Sequence, residues 1–218
     1  MKKSIVIMAA AAVMIMGTTK KANAQCVEKG TIAVDAYYGF PNLLTTAIKT
    51  VYADNGYDNY KVSGFGPAGI RGEYLINDHI AFGVDVNYSV TNIEWSEEGS
   101  TYTSYDPKTG IYVYPTYNYK INVPRLRALA KFNAHFGSSD HFDWYAGAGV
   151  GYNHTTLNLT TNDPSYTEDE DLAGTFFIPV AARIDFGGRY FFTDNIGLGF
   201  EVGLGGGPLA SLGLNVKF

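Results

Sequence analysis

The stretch "IAFGVDVNYSV", residues 80–90, alternates without a fault. Ile80, Phe82, Val84, Val86, Tyr88 and Val90 fall on one side, and Ala81, Gly83, Asp85, Asn87 and Ser89 on the other. Successive side chains of a β-strand point to opposite faces, so this strand has an oily face and a polar one. A soluble sheet buries the oily face, whereas a barrel in lipid displays it. Alternation alone does not decide between them.

Seven more segments share the pattern. Strands are expected at about 31–40 (Ile32, Val34, Ala36, Tyr38 on the apolar face), 65–76 (Ala68, Ile70, Tyr74, Ile76) and 119–136 (Leu126, Ala128, Ala130, Phe132, Ala134, Phe136). Others are expected at about 142–157 (Phe142, Trp144, Ala146, Ala148, Val150, Tyr152), 174–192 (Phe176 to Tyr190) and 196–204, with a last one ending in Leu212, Leu214, Val216 and Phe218. With residues 80–90 this makes eight strands. Their connections are short at Asn77-Asp78-His79, Gly137 to His141 and Thr193-Asp194-Asn195, and longer at 41–64, 93–118 and 158–173. A short Gly205-Gly206-Gly207 joins the last two strands. Short turns at one end and mostly longer loops at the other describe an outer-membrane barrel. Leu43 to Val51 suits a short helix in the first loop.

Proline supports the same division. Pro67, Pro124, Pro179 and Pro208 lie near the starts of strands two, four, six and eight. Proline cannot donate to a ladder and belongs at strand beginnings or bulges. At Pro124 the alternation slips from Ile121 and Val123 to Leu126 and Ala128, which predicts a bulge.

Composition agrees with one domain. The 218 residues include 25 Gly, 17 Tyr and 13 Phe, with only 17% charged. Lys2 and Lys3, the apolar Ile5 to Met16 and Ala22-Asn23-Ala24 read as a signal peptide, residues 1–24, with the barrel domain as 25–218. No later apolar run is long enough for a transmembrane helix. The leader takes Lys2, Lys3, Lys20 and Lys21 from 16 basic residues against 21 acidic ones, leaving a formal charge of −9. That argues against nucleic acid as a partner. Cys26, the only cysteine, excludes an internal disulfide; Gln25 before it does not suit a lipoprotein signal, so an unmodified thiol is expected.

The two faces differ in kind. The apolar face carries no charge between strand ends, and its aromatics gather at two levels: Tyr38, Tyr88, Tyr119, Tyr152 and Phe176, then Tyr74, Phe82, Phe136, Trp144, Tyr190 and Phe218. Such belts mark membrane–water interfaces. The other face holds Asp35, Arg71, Glu73, Asp85, Arg125, Arg127, Lys131, Arg183, Asp185, Arg189, Glu201 and Lys217 among glycines. An eight-stranded barrel has an interior that side chains just fill. Charges survive there only when paired, so a charge network is expected in the lumen. If Ile76 faces Ile80 across a three-residue turn, Arg71 opposes Asp85 and pairs with it. The same parity makes Arg189 a diagonal neighbour of Glu201 and His135 the facing partner of Asp143.

"GIRGEYLINDHIAFGVDVNY" (69–88), "NVPRLRALAKF" (122–132), "DWYAGAGVGYN" (143–153) and "LGLNVKF" (212–218) resemble small outer-membrane barrels of the OmpA-like and opacity-porin type. More narrowly, they resemble the outer-membrane β-barrel domain proteins of Bacteroidetes. The resemblance covers nearly the whole mature chain. It implies an all-β, eight-stranded antiparallel up-and-down transmembrane barrel in a Gram-negative outer membrane, with both termini periplasmic. Phe218 then resembles the terminal signal read by the barrel assembly machinery. No segment resembling a peptidoglycan-binding domain follows, so a cell-wall anchor is not implied.

Chemistry is sparse. His135 and Asp143 with Ser138 and Ser139 suggest a hydrolytic set, but a hydrogen bond at the periplasmic rim explains them better. The histidines lack metal-ligand spacing. The acidic run Glu168 to Asp171 lacks the glycine and alternating ligands of a calcium loop. "GLGGGP" (203–208) precedes a strand, which does not suit a phosphate cradle. Residues 94–119, rich in Tyr, are expected to rise as a hairpin and offer an adaptable contact surface.

The expectation is therefore a monomeric, non-enzymatic outer-membrane protein without cofactors, structural or surface-binding through its extracellular loops. Its partners are outer-membrane lipid, the assembly machinery and an extracellular ligand. A narrow pore gated by the charged lumen is the alternative, followed by a lipid-modifying enzyme. A soluble lipocalin-like barrel is the alternative fold.

Overall fold

The structure, a computed structural model, describes residues 26–54, 59–166 and 178–218. The expected signal peptide at 1–24, the acidic run 168–171 and Phe176 lie outside the described residues. The elements are β1 (Ile32–Phe40), α1 (Leu43–Asp54), β2 (Lys61–Asn77), β3 (Ile80–Glu98), β4 (Ser104–Asp106), β5 (Ile111–Val113) and β6 (Thr116–Ser138). They continue with β7 (Phe142–Thr155), β8 (Asn158–Thr161), β9 (Val180–Phe191), β10 (Ile196–Gly205) and β11 (Ala210–Lys217). Eight of the strands run antiparallel in the ring β3-β2-β1-β11-β10-β9-β7-β6, and the β3–β6 pairing closes it. This is the expected up-and-down barrel. β8 lies along the outer part of β6, and β4 and β5 form a separate small hairpin.

The strands are staggered. A row of directly paired residues leaves Ile32 near the start of β1 and passes Tyr74, Phe82, Phe132, Ala148 and Ile184 to Leu204. It thus begins at the short-turn end and arrives at the long-loop end of β10, as tilted strands in a closed barrel require.

Alternation places the side chains as the pattern demands. Ile70, Val84, Val86, Val150, Ile184, Leu198 and Leu212 are exposed on the outer wall, while Asp35, Arg71, Asp85, Arg189 and Glu201 are buried inside. The short-turn end carries exposed Phe82, Phe132, Phe136 and Tyr190, and the other end Tyr38, Phe65, Tyr88 and Tyr152. Tyr119 departs from the expected belt. It points inward and stacks on Trp95 at 5.1 Å.

Four details of register correct the sequence expectations. Asn77, not Ile76, pairs with Ile80, because a bulge between Leu75 and Asn77 absorbs the extra residue; Arg71 still opposes Asp85. His135 faces Tyr145, and Asp143 faces Ser138, because a second bulge follows His135. No bulge occurs at Pro124, which pairs with Val90 in an unbroken β3–β6 ladder. The bulge lies instead at Pro67, between Phe65 and Ala68, where Gly66 adopts φ +76°. Ile121 and Val123 therefore share the inward side with Arg125. What looked like a change of phase is a change of polarity inside one strand.

That change has a cause. Above Thr91 and Val123 the wall inverts: Ile93 and Val123 are buried inside, while the outward side carries Asn92–Asn122, Glu94–Lys120 and Ser96–Asn118, each pair directly opposed. All three are joined, at 2.7, 3.0 and 2.7 Å. α1 covers the inverted region. Asn42 caps it, accepting from the Thr45 backbone N–H at 3.3 Å and donating to the Val90 carbonyl at 3.0 Å. Thr45 then meets Thr91 at 2.9 Å between the hydroxyls. The helix runs past the expected Val51.

The opposite end is filled by the residues just before β1. Cys26 and Val27 pack with Leu75, Ala81 and Phe191 in a small apolar cluster. The Cys26 N–H donates to the Ser139 carbonyl at 2.8 Å, and Lys217 donates to the Cys26 carbonyl while lying over the Phe191 ring.

Candidate functional site

Between these two ends the lumen is ionic. Glycines make the room: a Cβ at Gly187 would strike the Tyr145 ring, and one at Gly147 would strike the side chains of Asn133 and Asp185. The glycine-rich face is thus the complement of long buried side chains. Two nodes hold them.

The node nearer the short turns centres on Arg189, which is 1% exposed and reaches Asp35 and Asp143, both at 3.2 Å, and also Glu73. Its guanidinium lies 4.6 Å from the Tyr145 ring centre. His135 bridges Asp143 at 2.9 Å and Glu73 at 3.4 Å, while Asn133 donates to Glu73 and Asn215 to Asp35.

The second node centres on Glu201, also 1% exposed. It meets Arg71, with Lys131 and Arg183 each at 2.9 Å, and accepts from the Tyr145 hydroxyl at 3.2 Å. Asp185 shares Lys131 at 2.9 Å and Arg183 at 3.4 Å. Arg71 Nε lies 3.8 Å from Asp35, linking the two nodes.

The expected lumen residues Asp35, Arg71, Glu73, Lys131, Arg183, Asp185, Arg189 and Glu201 are all brought together in these nodes. The pairings differ from those read from parity. Arg71 faces Asp85 in register but reaches across the lumen to Glu201, and Asp85 instead accepts from the Tyr37 hydroxyl at 2.6 Å. Arg189 is diagonal to Glu201 in register yet pairs elsewhere. Cross-strand rules see neighbours on the wall, whereas long side chains in a narrow tube meet across its diameter. Asp143 and His135 belong to the node rather than to a rim, which the strand parity of Asp143 allowed one to foresee. Ser139 does not join them: its Oγ accepts from the Phe142 N–H in the turn.

Arg125 and Arg127 stand apart. Both face inward on β6 above the Glu201 node and remain half-buried. Among the described residues neither forms an ion pair. Arg127 touches Asn87 at 3.5 Å, and Arg125 Nε is shielded from solvent with no partner.

Outside the mouth, Tyr52, Tyr60, Trp95 and Tyr119 form a stacked column, with ring centres 4.5, 5.4 and 5.1 Å apart. A cleft of about 630 Å³ lies beside it, lined by Lys61, Glu94, Asn118, Lys120 and Thr160 among others. The hydrogen bond and charge of Lys120 hold the Glu94 carboxyl below the usual range. Tyr119 donates to Asp163 at 2.7 Å, and that bond pushes the phenol up to about 12. Asp163, hydrogen-bonded by Ser165 and Tyr119, is lowered in turn.

Phe218, just after β11, makes reciprocal backbone bonds with Ile32, at 2.9 and 3.0 Å. Among the described residues there is no metal-binding cluster.

No family model matches the chain, and no curated protein does. Among solved structures it is similar to the N-terminal β-barrel domain of Pseudomonas aeruginosa OprF: 14% identity, 88% of this chain, 100% of that chain, TM-score 0.39. It is similar also to P. aeruginosa OprG, at 12% identity over 90% of this chain and 99% of that one, TM-score 0.44. Ail of Yersinia pestis shares 11% identity over 87% and 99%, TM-score 0.32. At such values the molecule's own geometry has to carry the functional reading.

Proposed function

We propose that this chain is a non-enzymatic outer-membrane barrel whose lumen is closed by its ion-pair nodes and which acts through its outward mouth and loops. The observation that carries this reading is the inversion of polarity along one wall. From Phe82 to Val90 the outside of β3 is apolar and the inside charged, and from Asn92 to Ser96 the outside is polar. A wall that is apolar outside over one band and polar beyond it suits a bilayer that ends near Val90. The short-turn end, with both chain ends, then faces the periplasm. The monomer is surrounded by lipid, the assembly machinery reads Phe218, and an extracellular ligand meets the loops. No cofactor is needed.

A narrow pore is the competing reading, because Glu201 offers Arg71, Lys131 and Arg183 a shared partner that exchange could loosen. Fractionation and planar-bilayer recording test both. The expected result is recovery in the outer membrane with no sustained conductance. Recovery in the soluble periplasm would sink the membrane reading, and steady single-channel openings would favour the pore.

A further inference from the structure

We propose that Arg125 and Arg127 form an oxoanion site inside the outward mouth, taking a phosphate or sulfate group presented from outside. The two lie two residues apart on the same face of β6, which separates their Cβ atoms by about 7 Å. Two guanidinium forks at that spacing can converge on one tetrahedral anion.

Every other lumen cation directly contacts a carboxylate or is capped. Arg71, Lys131, Arg183 and Arg189 reach Glu201, Asp185, Glu73 and Asp35, and Lys217 reaches a carbonyl and a ring. Among the described residues Arg125 and Arg127 meet no carboxylate, and the Arg125 Nε donor is hidden from solvent without an acceptor. Leaving half-buried charge and a buried donor unmatched costs free energy that a bound anion would recover. The neighbours add hydroxyl and amide groups: Ser89 and Thr155 pair with Arg125, and Asn87 and Asn153 with Arg127.

The pair sits on β6 beyond Lys131 of the Glu201 node, on the side of the outward mouth. It lies inside the wall, so a lipid headgroup outside it does not reach the pair. The ligand is therefore a free oxoanion or the charged tip of a soluble molecule. This names a ligand class for the mouth assigned above, and the test does not depend on conductance or localisation.

The test is titration of the purified full chain in octyl glucoside micelles with inorganic phosphate, read by the arginine Nε–Hε resonances and calorimetry. Saturable binding that moves Arg125 and Arg127 is expected, with chloride at equal ionic strength ineffective. The Arg125→Gln/Arg127→Gln double variant should weaken it at least about tenfold while retaining heat-modified gel mobility. Lys120→Gln, the same charge change on the outer wall, should leave it unaltered. Should the double variant fail to fold, Arg125→Lys keeps the charge without the fork and should still weaken binding. Absence of saturable phosphate binding in the native chain overturns the proposal, as does equal loss in Lys120→Gln or native affinity in the double variant. Either would leave the pair only the task of balancing the carboxylates below it.

Discussion

Glu201 is the residue on which the ionic layer turns. Removing it strands Arg71, Lys131 and Arg183 in a space with little water, and breaking a buried pair from one side costs about 3–5 kcal/mol. Glu201→Ala should therefore lower the temperature of heat-modified mobility far more than Asp85→Asn, which keeps an acceptor for the Tyr37 hydroxyl and loses only the charge assistance, about 1 kcal/mol. Arg71→Ala should weaken the barrel through Glu201 rather than Asp85, so a double-mutant cycle should show coupling with Glu201 and little with Asp85. At the outward mouth, the Tyr119–Asp163 bond needs a neutral phenol and an ionised carboxylate. The raised phenol keeps the contact until pH approaches about 12, and the lowered carboxyl keeps it until pH falls below about 4, the ordinary aspartate value. Amide protection at residues 158–166, taken relative to the intrinsic exchange rate at each pH, should hold between those limits and fall beyond both; a fall that begins near neutrality would contradict the bond.

At the scale of the element, β3 and β6 are each two strands end to end. Their lower parts are apolar outside and their upper parts polar outside. A lysine at Val86 should cost about 2–4 kcal/mol and one at Ser96 about 0–1, since the penalty follows depth in the bilayer. Equal costs measured by folding into lipid vesicles would refute the boundary at Val90. α1 depends on a close approach, because a Cβ at Gly64 would strike the Thr45 hydroxyl and side chain. Gly64→Val should lift the helix, speeding amide exchange in residues 43–52 while the strands below keep their protection.

For the whole molecule, the lumen is layered: an apolar plug from Cys26 and Val27, then two ionic nodes, then the arginine pair, then α1 over an apolar mouth. On the proposed function the seal lies in the ionic layer. Replacing residues 41–54 by a glycine-serine linker should leave a planar bilayer silent, whereas Glu201→Ala should admit small, brief openings. Conductance after loop replacement alone would move the seal to the helix.

Much of this was legible in the residues. Period-two alternation dictated the strands, their even number and which side is charged, because in a strand parity alone assigns the face. Bulges escaped because they are single-residue accommodations at Ile76, His135 and Pro67, decided by ladder closure rather than local pattern. The aromatic column escaped because Tyr119 looked like another belt residue until α1 gave its inward side something to cover. Most of all, "IAFGVDVNYSV" put Asp85 on the polar face, and the charges and glycines of the other strands turned that face inward, but neither told whom Asp85 meets. Sequence parity determined the wall and the sign of each face; only the closed tube, narrow enough for arginines to cross it, decided the partners and left Arg125 and Arg127 without a carboxylate among the described residues.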